Sequence, residues 1–222
     1  EYDFTQLQID CITEFQSMYP DLQIDAIATH GHTIFHNPGI GYTFQMTLGG
    51  RLAEQAKIPT ICNFREQDVF LGGQGAPLVP IGDLHLFSTY DACINLGGFA
   101  NISYQENGKR IAYDLCPFNI LMNPEAQACG LPFDESGNLA ELGQIIPELL
   151  DKLNACSYYK QGYPKSLSVE DLQSNYSNTL KKYQAEPEDY LATLVKHYLH
   201  IIGNAVQNHK KVLLTGGGVF NT

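Results

Sequence analysis

The sequence predicts an α/β fold, and three observations carry that prediction. Helix-spaced apolar residues (Phe4, Leu7, Cys11, Phe15, Met18) are followed by a short strand-like run, Ile24-Asp25-Ala26-Ile27-Ala28-Thr29. A buried-strand pattern, Ala92-Cys93-Ile94-Asn95-Leu96, runs into Gly97-Gly98 and returns through Asn101-Ile102-Ser103-Tyr104. Near the end, the strongest helical stripe feeds a strand, Lys210 to Thr215, which opens at once into Gly216-Gly217-Gly218.

The elements follow in order. The first helix covers residues 4–18 and ends at Tyr19-Pro20, because a residue before proline disfavours the helical region. Strands are expected over Ile24–Thr29, Gly41–Met46 and Thr60–Phe64, with a helix through Leu52–Gln55 that stops before Pro59. Leu71 to Pro80 holds three glycines and two prolines and is read as irregular. Asn107-Gly108 favours a hairpin turn, and Arg110 to Asp114 is a third strand ending on a carboxylate. Residues 119–129 are helical only in part, since Pro124 interrupts them. A short helix follows Pro147, residues 156–168 form a surface loop, and Glu170–Tyr183 is weakly helical. Leu191, Leu194, Val195, Tyr198, Ile201 and Ile202 then form one apolar stripe. Residues 1–86 are read as a partial first α/β lobe. Residues 87–222 are read as a second lobe that stops after the glycine-rich loop.

Composition excludes several classes. The 222 residues carry 24 acidic against 13 Lys and Arg side chains, a net charge of -11, which argues against a nucleic-acid backbone binder. No apolar run approaches the ~18 residues of a membrane span, and Glu1-Tyr2-Asp3-Phe4 is not a secretory signal. The six cysteines (11, 62, 93, 116, 129, 156) are too dispersed for a zinc site and are read as reduced thiols of a cytoplasmic protein.

Four places carry chemistry. Asp114, at a strand's end, could take a proton from a substrate hydroxyl, or could instead hold backbone N–H groups of a loop or cap. The glycines at 97–98 and 216–218 let backbone approach a phosphate or nucleotide, or serve turn geometry alone; neither matches a P-loop. His30-Gly31-His32-Thr33, with His36, lacks the partners of a familiar metal set. His32 and Thr33 are read as donors to a sugar or as structural loop. Arg65 offers a planar donor fork or an ordinary surface ion pair, and Gln74 and Asp83 are weaker polar candidates.

Together these segments resemble the anhydro-N-acetylmuramic acid kinase family. The likeness lies in Ala28-Thr29-His30-Gly31-His32-Thr33 with His36, Phe64-Arg65 with Asp68, and Leu71-Gly72-Gly73-Gln74-Gly75-Ala76-Pro77-Leu78-Val79-Pro80. It continues through Asn95 to Ser103, Asp114, Pro117-Phe118-Asn119 and Gly216-Gly217-Gly218.

The resemblance implies a two-lobed actin-like ATPase (ribonuclease H-like) fold that uses ATP and Mg²⁺. It implies hydrolysis of the 1,6-anhydro bond of anhydro-N-acetylmuramic acid and phosphorylation of O6, in cell-wall recycling. Asp114 is then the general base on the attacking water. Arg65, His32, Thr33 and Gln74 contact the sugar. Gly97, Gly98 and Asn101 lie on the phosphate side, and Gly216 and Gly217 on the adenosine side. The family is commonly homodimeric.

Departures give a second set of expectations. The family's opening phosphate motif and its closing segment have no counterpart, so the chain is expected to be a fragment. Its fold is expected to be incomplete at both ends, and the chain alone inactive. Asn63 replaces an aspartate, and Phe118 replaces a glycine and is expected to fill space near the phosphate. Ser168-Val169-Glu170 lacks the arginine of a Gly-Arg-Glu motif. These changes also fit a divergent paralogue that binds sugar or nucleotide without catalysis.

Overall fold

A computed structural model describes residues 1–167 and 172–221. The Ser168-Val169-Glu170 departure and the start of the weakly helical 170–183 stretch lie outside the described residues. The chain divides into two compact units, Glu1–Leu78 and Val79–Thr222.

In the first unit, helix α1 (Tyr2–Met18) buries Thr5 and Ile9 and ends where expected, at Tyr19. Strand β1 is only Ile27–Ala28, shorter than the run that predicted it. Strand β2 (His32–Asn37) pairs antiparallel with β3 (Tyr42–Met46) across a turn closed by Gly41 at φ +71°. His32 and Thr33 therefore open a strand, where the sequence pointed to a loop. Helix α2 (Gly49–Ala56) packs on α1, held by Leu48 N–H donating to Thr5 Oγ1 (2.9 Å) and by Arg51 donating to Gln6 Oε1 (2.7 Å).

Strand β4 is Thr60–Ile61, pairing parallel with β1. The chain then turns into helix α3 (Phe64–Phe70) rather than continuing extended to Phe64. Asn63 makes that turn. It sits in the left-handed region at φ +58°, which asparagine tolerates, and its Nδ2 donates to Glu66 Oε2 at 2.9 Å.

The second unit opens with helix α4 (Pro80–Leu86), which starts on the proline that closes the glycine-rich stretch. Strands β5 (Ala92–Leu96), β6 (Phe99–Glu106) and β7 (Lys109–Pro117) form an antiparallel meander. Strand β8 (Val212–Thr215) adds parallel to β5, giving the order β7-β6-β5-β8. The segment joining β7 to β8 carries helices α5 (Asn119–Ala128), α6 (Asn138–Leu142), α7 (Pro147–Asn154) and α8 (Pro187–Val206).

Helix α5 runs through Pro124 without a break. Burial of Leu121, Met122 and Ala126 offsets the cost of the missing hydrogen bond. Helix α8 buries Leu191, Leu194, Tyr198 and Ile201 against the sheet. Residues 157–160 form a 3₁₀ turn whose Tyr158 is buried, so this loop is not wholly on the surface.

Strand alternation sorts the second sheet into two faces. Ala92, Ile94, Leu96, Ala100 and Ile102 pack into the core with α8. Cys93, Asn95, Asn101, Ser103, Arg110 and Asp114 lie on the other face, as the strand registers require. Part of that polar face is engaged by α4. Ser103 Oγ donates to Asp83 Oδ2 at 2.5 Å, and Arg110 donates to Ser103 Oγ at 2.8 Å.

The β6–β7 ladder slips by one residue. Ala100 pairs with Cys116, but Asn101 pairs with Asp114, so Leu115 is extra. This β-bulge puts two consecutive side chains, Leu115 and Cys116, on the core face, 3% and 0% exposed.

Candidate functional site

The register aligns four polar side chains in one row across the second sheet. Asp114 pairs with Asn101, Asn101 with Asn95, and Asn95 with Thr215. Asp114 and Asn101 were expected from the sequence, whereas Asn95 and Thr215 were not. One signal was available: Asn95 and Asn101 stand equidistant from Gly98, so any hairpin centred there makes them partners.

Asp114 does not end its strand. The strand continues through the bulge to Pro117, because Leu115-Cys116 breaks the alternation by which strands are read. Its Oδ2 accepts the Leu167 N–H at 2.9 Å. Burial pushes the carboxyl above the usual carboxylate value, and the bond from Leu167 works in the opposite direction. A carboxylate moved toward neutrality is better matched to general-base work near pH 7.

The two glycine turns meet at the same end of the sheet. Gly97 and Gly98 join β5 to β6, and their carbonyls accept N–H groups of Phe118, Asn119 and Ile120 at the start of α5. Gly216, at φ +86°, lies so close to β5 that a Cβ there would sit 2.6 Å from Asn95 Oδ1 and 2.8 Å from Leu96 O. A Cβ at Gly218 would meet Phe118 Cε1 and Leu96. By contrast, Gly98 and Gly217 face open space. The turns thus flank the C-terminal ends of the parallel pair β5 and β8, where open α/β sheets characteristically take ligands.

Beside them lies a pocket of about 530 Å³ lined by Asn119, Met122, Phe133, Glu135, Ser136 and Gly217, among others. Phe118 does not fill this space. It is 6% exposed and packs on Tyr198 with ring centroids 4.7 Å apart.

In the first unit, Arg65 draws together three segments. Its Nε donates to His30 Nε2 (2.9 Å) and its guanidinium to the Gly75 carbonyl (2.6 Å). Gly75, at φ +64°, donates its N–H to Asp68 Oδ2 at 2.6 Å. Burial lowers the Arg65 guanidinium from its ordinary value, though an arginine stays charged. His36 is lowered by burial and then by the Arg65 charge, against a hydrogen bond to the Gln74 backbone that raises it. Arg65, Gln74, His30 and His36 therefore form one cluster. Thr33 pairs with Gln45 in the hairpin, and the His32 ring lies 6.4 Å from that of Phe4.

Mg²⁺ usually keeps several waters and is held by one or two carboxylates plus substrate phosphates. No cluster of three His, Cys, Asp or Glu side chains among the described residues forms a cage for an ion. Mg²⁺ at this site would rest on substrate phosphates and waters rather than on a cage of side chains.

A three-stranded meander joined by a parallel fourth strand is the ribonuclease H-like arrangement from which actin-like ATPases are built. Within that class the chain matches the family model described as anhydro-N-acetylmuramic acid kinase over residues 1–222, and it belongs to that family.

Three curated relatives bear the same description. The protein of Aliivibrio fischeri is 37% identical over 211 residues, covering 89% of this chain and 58% of its own length. That of Neisseria meningitidis serogroup B is 36% identical over 215 residues, covering 93% and 58%. That of Bordetella pertussis is 36% identical over 212 residues, covering 89% and 56%. The chain thus spans somewhat more than half the length of these relatives.

Against the expectation of a fragment with a fold incomplete at both ends, the family match takes in residues 1–222. Among the described residues, no helix is long and apolar enough to cross a membrane.

Proposed function

We propose that this protein is an ATP- and Mg²⁺-dependent kinase that opens the 1,6-anhydro bond of anhydro-N-acetylmuramic acid and phosphorylates O6. The observation that carries the reading is the polar row Asp114–Asn101–Asn95–Thr215, flanked by both glycine turns at one end of the sheet. Family membership supplies the substrate class.

Asp114 takes a proton from a water as that water's oxygen bonds to the anomeric carbon. The bond from that carbon to O6 breaks, and O6 bonds to the γ-phosphorus as the phosphorus–oxygen bond to ADP breaks. The protein's task is in-line placement and charge stabilisation more than acid catalysis. Bound Mg²⁺ neutralises phosphate charge. Gly97, Gly98 and Asn101 line the phosphate side, with Gly98 leaving room for close approach. Gly216 and Gly217 line the adenosine side, where Met122 and Phe133 give the neighbouring pocket apolar surface for a base. Arg65, His32, Thr33 and Gln74 serve the sugar, with Arg65 already fixed by His30 and Gly75.

The same reading makes the protein cytoplasmic and homodimeric, acting on small molecules and not on nucleic acid; light scattering of the purified protein tests the dimer. A second reading, a paralogue that binds without catalysis, rests on the substitutions at Asn63 and Phe118. Both residues have structural places of their own, in a left-handed turn and in the core, and this favours the kinase.

The deciding experiment is an assay of the protein with ATP·Mg²⁺ and the anhydro sugar. Asp114→Asn lowers turnover by about 10²- to 10⁴-fold, the usual weight of a general base, while sugar binding persists. Binding of both ligands with no phosphorylated product from the unmodified protein would establish the paralogue reading instead.

A further inference from the structure

Tyr158 is 5% exposed, and its hydroxyl donates to the main-chain carbonyl of Asp114 at 2.6 Å. The same stretch of chain then returns to that residue twice. The Lys165 carbonyl accepts the Asp114 N–H at 3.3 Å, and the Leu167 N–H donates to Asp114 Oδ2 at 2.9 Å. One segment therefore satisfies the N–H, the carbonyl and one carboxylate oxygen of a single residue.

β7 is an edge strand, and covering an edge requires only backbone bonds. The bond to the carboxylate goes beyond that need. Lys165 ties the segment to itself: its Nζ donates to the Tyr158 carbonyl at 3.3 Å and sits 4.6 Å from the Tyr158 ring centroid and 5.4 Å from that of Tyr113.

We propose that residues 158–167 form a positioning strap for Asp114, with Tyr158 as its anchor, and that the strap occupies Oδ2 so that Oδ1 is presented to the attacking water. This inference rests on the proposed base role of Asp114. The titratable groups around that carboxyl among the described residues are Tyr158 and Lys165 on the strap and Cys116 on its own strand. Burial raises the Cys116 thiol and lowers the Lys165 ammonium from their ordinary values, and the Asp114 charge raises Cys116 further. Burial raises the Asp114 carboxyl and the Leu167 N–H favours its charged form, so weakening that bond while the carboxyl stays buried moves the titration of Asp114 upward.

The test uses Tyr158→Phe in the full protein. The turnover number falls on the order of tenfold while KM for the anhydro sugar stays within about twofold, the signature of lost placement rather than lost binding. The acid limb of the rate profile moves to higher pH. Leu167→Pro, which deletes the donor and leaves Tyr158 in place, moves that limb in the same direction. Carboxyl ¹³C NMR of Asp114 in the substrate-free protein reads the displacement without catalysis, and matched melting midpoints confirm that the variants are folded.

An unmoved Asp114 titration together with an unmoved acid limb in both variants overturns the strap. That result leaves the base role standing if Asp114→Asn is inactive. Full turnover by Asp114→Asn removes the base role, while the NMR titration still decides whether the strap exists.

Discussion

The two units hold their polar groups by different means. In the second, Asp114, Asn101, Asn95 and Thr215 come level because four strands share a register, and among the described residues no side chain of the row is hydrogen-bonded to another. In the first, the longest strand has six residues, and the cluster is assembled bond by bond, from Arg65 to His30 and Gly75 and from Asp68 to Gly75. A register-set row resists the loss of any one member but fails if the sheet beneath it is disturbed. A bond-built cluster degrades one contact at a time.

The contrast is sharpest under acid, which strikes the support behind the second sheet. His197 is fully buried in a directed chain. Tyr176 donates to Tyr159 (2.8 Å), Tyr159 to His197 Nε2 (2.9 Å), and His197 Nδ1 to Asn154 Oδ1 (2.6 Å). Burial, with a smaller effect of His200, lowers this imidazole to about 4. Above pH 6.5 the ring is neutral in both folded and unfolded chains, and its stabilisation is fully present. As the pH falls below 6.5 the unfolded chain takes the proton first, and stability is lost down to about pH 4. The gap from 6.5 to about 4, at about 1.36 kcal/mol per pH unit, makes that loss about 3 kcal/mol. Urea unfolding at pH 7 and 4.5 should show the drop in the wild type and a smaller one in His197→Gln. Parallel curves would break the comparison.

Next in size is Gly216→Ala. The φ of +86° and the contacts with Asn95 and Leu96 together predict a loss of about 2 kcal/mol, read as a lowered melting midpoint. Arg65→Lys should cost the first unit about 1 kcal/mol, since one ammonium cannot serve His30 and Gly75 in the same planar geometry. It should also raise KM for the sugar with the ATP constant unchanged; a shift in both would mean the cluster is not specific to the sugar. The smallest stability effect is expected at Gly217→Ala, within about 0.5 kcal/mol because its Cβ meets open space. There the consequence should appear in KM for ATP. A Gly217 variant as unstable as the Gly216 one would show that both glycines serve the turn alone.

The sequence disclosed the meander, the long helix and the glycine turns because each has a strong local signature: alternation into Gly97-Gly98, the stripe from Leu191 to Ile202, and the triplet at 216–218. It did not disclose α3 or α4. Both are seven-residue helices beside a Gly/Pro-rich stretch, where breakers dominate the local pattern and docking decides the outcome. His32 and Thr33 looked like loop because their hairpin exposes most of the residues in β2. The alternative that Asp114 holds backbone N–H groups proved compatible with a place in the polar row, since it accepts from Leu167 while sharing a register with Asn101. The sequence could not show this, because Leu167 lies fifty-three positions away.

Leu115 is a place where the strand that carries the carboxylate can absorb a change of length. It is the extra residue of the bulge; without it, Asp114 and Cys116 would be direct neighbours and would still fall on opposite sides of the sheet. A deletion of one codon at the bulge would therefore leave the carboxylate on its side, whereas a deletion elsewhere in the strand turns the residues beyond it to the other face unless the bulge absorbs the change.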